Sequence, residues 1–221
     1  MIQSGFDGTI EELYFSAALF AVKRGYNVLL FEGPGQGGAI RMQRLPFRPD
    51  WENVVTPVVD YALRRSEVDT KRIALMGVSF GGYFAPRAVA FEKRIKACIA
   101  NGGVYDFHMT ARLAPEEEKA LDTPKGAEEI DNAIYGLMKT NPSLRWIMAN
   151  GMFTFHAKSP SEWLRMTRLY TLKDAAAKIT CPMLIVDSYA VAVVLCVVTM
   201  LCWGSWANTQ KLASKEWPFT L

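Results

Sequence analysis

The sequence lacks any concentration of basic residues. Lys and Arg total 25 against 22 Asp and Glu, a net charge of +3 over 221 residues. They are scattered, which argues against a dedicated nucleic-acid surface. Its four cysteines, Cys98, Cys181, Cys196 and Cys202, form neither a metal-type spacing nor a short secreted framework. They read as reduced apolar thiols of a cytoplasmic protein. Met1 to Gly5 show no basic flank and no apolar core, so no signal peptide is read there. Internal repeats and low-complexity tracts are also missing. Charge is absent altogether from Ser188 through Gln210. Within that run, Tyr189 to Ala207 is almost wholly apolar, and as a helix it would be roughly 28 Å long, close to a bilayer's hydrocarbon thickness. Trp203 and Trp206 suit a membrane interface, with Lys211 and Lys215 just outside. The expectation is a membrane-spanning or membrane-seeking helix there; the alternative is a buried strand and helix of a soluble core.

What the sequence does have is a core's worth of apolar residues, 50% of the chain, in a length that suits one domain. Thr9 to Glu12 have capping-box spacing and open a helix that runs to Lys23-Arg24-Gly25. Tyr26 to Phe31 reads as a short strand ended by Gly33-Pro34-Gly35-Gln36-Gly37-Gly38. Asp50 caps a segment with Val54, Val55, Val58, Val59, Ala62 and Leu63 on one side, which Pro57 should kink or shorten. Arg72 to Gly77 is the next strand, Phe80 to Glu92 a helix and Ile95 to Ala100 another strand. Apolar strands alternating with helices imply a parallel sheet covered on both faces. From Asp106 to Ala177 only helical stretches follow, around Glu116–Leu121, Glu128–Lys139, Leu144–Met152 and Glu162–Tyr170. They read as a lid inserted over the C-terminal edge of the sheet. Met183 to Val186 is a further strand. The expected divisions are 1–104 (core), 105–177 (helical cap), 178–188 (last core strand) and 189–221 (an unrelated apolar helix and tail).

Gly77-Val78-Ser79-Phe80-Gly81-Gly82 lies between a strand and a helix, the context a nucleophile elbow requires. Small neighbours allow the tight turn that lifts the Ser79 hydroxyl clear of the backbone. The helix beginning there offers the Phe80 N–H to a developing oxyanion. A second donor is expected from Ser4-Gly5-Phe6-Asp7-Gly8-Thr9, through the Phe6 N–H. Gly33, Gly35 and Gly38 also match a dinucleotide-binding spacing. That motif should open directly into a helix, whereas here the loop is expected to pass Arg41, Arg44 and Pro46 first. A structural loop is the reading adopted.

The segments GFDGTIEELYF, YNVLLFEGPGQG, DWENVV, RIALMGVSFGGYFAPRA and CPMLIVDS resemble the α/β-hydrolase family, in particular enzymes similar to dihydroxy-pseudo-oxynicotine hydrolase and the dipeptidyl-peptidase-like esterases. The resemblance implies an α/β-hydrolase fold with a mostly parallel sheet and a helical cap. It implies a small-molecule substrate cleaved at an ester, amide or carbon–carbon bond by Ser79, without metal or organic cofactor. Family members place an acid and then a histidine after the nucleophile. Asp187 is the candidate acid, although it comes a few residues early. The only histidines are His108 and His156, and neither follows it. His156 is the candidate base, while His108 stands too close to Asp106 for both to reach Ser79. Almost no room precedes the Gly5-Phe6 loop for the family's earlier strands, so the fold is expected to be incomplete at both ends. The apolar tail resembles the opening helix of a drug/metabolite or sugar-uptake transporter. Two functional readings stand: a serine hydrolase impaired by the missing acid–histidine segment, or an inactive hydrolase-like fragment, membrane-tethered or the product of a fusion.

Overall fold

The computed structural model describes residues 1–186; Asp187 and the apolar run from Tyr189 to Ala207 lie outside them. The order is β1 (Ile2–Gln3), α1 (Ile10–Leu13), a π-helical stretch (Tyr14–Ala18) leading into α2 (Leu19–Val22), β2 (Leu30–Phe31), α3 (Gly37–Gln43), α4 (Glu52–Leu63), β3 (Ala74–Val78), α5 (Gly81–Val89) and β4 (Ala97–Asn101). After β4 come α6 (Pro115–Ala120), α7 (Pro124–Met138), α8 (Pro142–Phe155), α9 (Pro160–Thr167) and β5 (Met183–Val186). Five strands pair in the order β2-β1-β3-β4-β5, each pair parallel. The parallel α/β architecture expected from the sequence is therefore present. Among the described residues no helix is long and apolar enough to cross a membrane.

The sheet is covered on both faces because its residues alternate. On β3, Leu75 is buried on the side where α5 packs over β3 and β4, with α4 against α5. Met76 and Val78 point the other way, against a cluster of Ile2, Leu13 and Ala18. Burial of such side chains is worth about 1.5–3 kcal/mol each and is the main term holding the layers together. On β5, Leu184 and Val186 remain about half exposed.

Several expectations change. Ile2–Gln3, to which the sequence reading assigns no strand, is the strand joining β2 to β3. Two residues are too few to show a strand period, and their pairing comes entirely from distant chain. Of Tyr26–Phe31, only Leu30–Phe31 pairs. The Thr9 hydroxyl does not cap α1; Glu32 does so instead, its Oε1 accepting from the Ile10 N–H at 3.2 Å. α4 runs through Pro57 without ending. The insertion after β4 is pinned at its base by an isolated Asp106–Thr171 bridge and by bonds from Phe107 N–H to Tyr170 O and from Leu172 N–H to Tyr105 O, at 2.9 and 2.8 Å.

Candidate active site

β3 ends at Val78, and Ser79 follows with φ +59°. Phe80 caps α5, with φ −59°. The left-handed conformation costs a non-glycine residue about 1–2 kcal/mol, so it survives only where the surroundings over-determine it. Ser79 N–H donates to Asn101 O at 2.6 Å, and Ser79 O accepts from Gly82 N–H at 2.8 Å. The glycines allow backbone to approach backbone. A Cβ on Gly77 would sit 1.9 Å from Gly81 O, one on Gly81 2.7 Å from Ser4 O, and one on Gly82 1.7 Å from Gly102 O. Gly102, at φ +100°, packs on the Ser79 backbone. The sequence reading missed it; the clue was the Asn101-Gly102-Gly103 turn closing a strand. The Ser79 side chain emerges exposed, and no side chain among the described residues hydrogen-bonds its hydroxyl.

The loop between β1 and α1 lies directly on this turn. A Cβ on Gly5 would be 2.5 Å from Phe80 N and 3.0 Å from Ser79 Cβ. The structure thus brings the Gly5-Phe6 segment and the elbow together, and neither the Phe6 nor the Phe80 N–H donates a hydrogen bond within the described residues. Asn150 of α8 donates from Nδ2 to Phe6 O at 3.1 Å. The Phe6 ring meets Phe107 and Trp163 at centroid distances of 6.1 Å and Trp146 edge-on at 6.0 Å. Phe107 also stacks on Phe80 at 3.9 Å. Both candidate donors therefore sit beneath an aromatic wall supplied largely by the insertion.

The two histidines are placed elsewhere. His108 has Nδ1 2.6 Å from Thr167 Oγ1 and Nε2 2.8 Å from Glu118 Oε2. Both of its ring nitrogens are engaged within the insertion, where Glu118 also pairs with Arg168 at 2.8 Å. His156 ends α8 as an exposed left-handed residue, φ 57°. No hydrogen bond within the described residues joins its ring to Ser79 or to an acid. Val186, the last described residue of β5, is in register with Asn101, at the sheet edge that carries Ser79. Asp187, the candidate acid, lies outside the described residues.

The glycine loop needs a correction. A helix does open directly after it, since α3 starts at Gly37. Glycines and Pro34 hid that start, because they are poor helix formers. The phosphate position is nevertheless filled by the Glu32 carboxylate, whose Oε2 accepts from Gly38 N–H at 2.7 Å. Gly35 and Gly33 lie against the Phe47 and Trp51 rings, where Cβ atoms would come within 2.2 and 2.6 Å. The loop is packing, with an anion already at its helix.

The sequence profile of the prolyl oligopeptidase family matches residues 13–140. The chain belongs to that family of α/β-hydrolases. Among the relatives of this prolyl oligopeptidase-family chain, hydrolase acrC of Aspergillus aculeatus is 36% identical over 188 residues, covering 82% of this chain and 44% of the relative. The 20-hydroxy-prefusarin hydrolase FUS2 of Gibberella moniliformis is 37% identical over 189 residues, covering 82% and 45%. The chain thus spans about half the length of the relatives it matches. Among solved structures, 2,6-dihydroxy-pseudo-oxynicotine hydrolase superposes with a TM-score of 0.58 at 23% identity, over 83% of this chain and 44% of that one. AbyA5 gives 0.54 at 19% identity, over 83% and 46%. These likenesses carry the α/β-hydrolase fold.

Proposed function

We propose that Ser79 is the nucleophile of a hydrolase acting on a small uncharged ester, or on an amide or ketone-activated carbon–carbon bond. The observation that carries this reading is an exposed serine held at φ +59° between a strand and a helix, with the Gly5-Phe6 loop packed on it. Ser79 Oγ bonds to the substrate carbonyl carbon as its proton passes to solvent water, which reaches the exposed side chain. The negative charge that builds on the carbonyl oxygen is received by the N–H groups of Phe80 and Phe6. Collapse breaks the bond to the leaving group, which takes up a proton, and water then releases the acyl group from Ser79. Fixed backbone donors of this kind need no reorganisation as charge develops. The aromatic wall around Phe6 suits an apolar acyl portion. FUS2 and acrC are named as hydrolases, which supports the reaction class.

A serine hydroxyl is a poor nucleophile at neutral pH without a base. His108 has both nitrogens engaged, and no hydrogen bond among the described residues joins the His156 ring to Ser79. That pair of observations favours a second reading, a chain with an intact elbow and no turnover. Hydrolysis of a short-chain p-nitrophenyl ester by wild type and Ser79→Ala separates the two. Under the first reading wild type turns the ester over faster than Ser79→Ala, whose own residual acceleration, from oxyanion donors and binding alone, is at most on the order of 10³ over buffer. Equal rates in both proteins would establish the second.

A further inference from the structure

We infer that Gln36 is the positioning residue of the oxyanion site: its buried amide sets the direction of the Phe6 N–H. The inference rests on the reading of Ser79 as nucleophile and names what holds its second donor in place.

Gln36 is 1% exposed and stands at the N-cap of α3, with φ −104° and ψ 151°. A side chain at that position normally accepts a hydrogen bond from its own helix's first turn. Gln36 makes no such bond, because the Glu32 carboxylate already takes the Gly38 N–H. Its amide is used across the fold instead. Nε2 donates to Ser4 O at 2.7 Å and to Gly5 O at 3.2 Å, while Oε1 accepts from Gly33 N–H at 2.9 Å. All three partners agree on one orientation of the amide, since carbonyls can only accept and an N–H can only donate.

The geometric consequence lies in the Gly5–Phe6 peptide, which is trans. In a planar trans peptide the C=O and the following N–H point in opposite directions. Fixing Gly5 O on Gln36 therefore turns the Phe6 N–H to the far side. The same loop is wedged against the elbow, with Gly5 on Phe80 N and Ser79 Cβ and Ser4 O against Gly81. Asn150 holds the next carbonyl, Phe6 O. The two peptide planes flanking Phe6 are thus each tied to a side chain, and among the described residues the Gln36 amide supplies the side-chain hydrogen bond on the plane that carries the donor. The Gln36 side chain bonds to Gly33, Ser4 and Gly5 and makes no hydrogen bond to Ser79 among the described residues, so its effect is transmitted through the loop.

The test compares Gln36→Glu and Gln36→Met with wild type. The first keeps an acceptor for Gly33 N–H but, as a carboxylate, has no donor for Ser4 O and Gly5 O. The second keeps the length and removes every polar atom. With p-nitrophenyl acetate, both variants are expected to lower kcat about 10- to 100-fold, somewhat less than loss of an oxyanion donor itself. KM should stay within about 3-fold, because the Phe6 N–H acts mainly on charge present in the transition state. A folded variant that retains wild-type kcat, or that loses activity through KM alone, overturns the inference. A crystal structure of Gln36→Glu gives a readout free of turnover: the Gly5–Phe6 peptide should rotate while Ser79 keeps its positive φ. An unmoved peptide overturns the inference even if wild type proves inactive. Inactivity of wild type itself, equal to Ser79→Ala, would instead refute the hydrolase reading and leave the peptide orientation to decide the role of Gln36.

Discussion

Replacing Gly82 by alanine should be among the most damaging single-methyl additions in the described fold. The new Cβ would lie 1.7 Å from Gly102 O and 2.7 Å from Gly102 C, against an ordinary contact of 3.4–4 Å. Neither side can give way cheaply. Gly82 N–H is bonded to Ser79 O at 2.8 Å, and α5 is buried along most of its length. Gly102 sits at φ +100°, and its N–H is bonded to Val186 O at 2.7 Å, next to Asn101 O, which takes the Ser79 N–H. Opening the gap therefore means breaking either the β4–β5 junction or the elbow. Overpacking costs typically 1–3 kcal/mol and sometimes more, and the contact here is with backbone, so about 3 kcal/mol or more is expected. For a domain of this size that corresponds to a drop of roughly 6–12 °C in Tm. Gly136→Ala is the matched control: it lies inside α7 with nothing within 4 Å of its Cβ position. It should gain about 0.5–1 kcal/mol through helix propensity. Thermal and urea unfolding followed by circular dichroism measures both. A Gly82→Ala protein within 1 kcal/mol of wild type, or no more affected than Gly136→Ala, would refute the packing account of the elbow.

Ser79→Gly should unfold at a higher temperature than Ser79→Ala, by about 1 kcal/mol of stability, because alanine keeps the left-handed penalty and glycine does not; equal stabilities would contradict the strained turn. The Glu92 carboxylate bonds to Arg94, with its nearest contact at 2.6 Å, and to Thr56 at 3.0 Å. Chiefly through the Arg94 bond, it is held at about 2, below its ordinary 4.5. A depressed folded value stabilises above the unfolded one, so this contribution is complete above pH 4.5 and disappears as pH falls through about 2. Glu92→Gln should flatten that part of the stability–pH curve, and an unchanged acid limb would count against the pairing. Burial pushes the Cys98 thiol well above its usual range, so peptide-level mass spectrometry should find Cys98 unalkylated in native protein and alkylated after denaturation.

How much was legible in the sequence follows the distance over which each feature is determined. The strand at Met183–Val186 and the helices of the insertion were readable because apolar periodicity and local starts define them. Thr123, Asn141 and Ser159, which the sequence reading did not name, cap α7, α8 and α9 through their side chains. The elbow was readable because Gly77, Ser79 and Gly81 are themselves close neighbours. Ile2–Gln3 was not, since its partners are Leu30–Phe31 and Met76–Gly77. Nor was the start of α3, where glycines oppose the helix and Glu32, five residues ahead of Gly37, supplies the compensation. The bonds of Gln36 to Ser4 and Gly5 and of Asn150 to Phe6 were invisible for the same reason, spanning 31 to 144 residues.

The elbow's conformation is also independent of any base. What holds Ser79 at positive φ is Asn101 O, the Gly82 N–H and the close approaches of Gly5, Gly77, Gly81, Gly82 and Gly102. An imidazole contributes to none of these contacts. The strained serine is therefore a property of the way β3, β4, α5 and the first loop pack, and the fold retains it whether or not a proton acceptor faces the hydroxyl. Ser79→Ala should accordingly match wild type in Tm, since the same φ, the same backbone bonds and the same glycine contacts persist, so any difference in ester hydrolysis between the two proteins reports on chemistry at the hydroxyl alone.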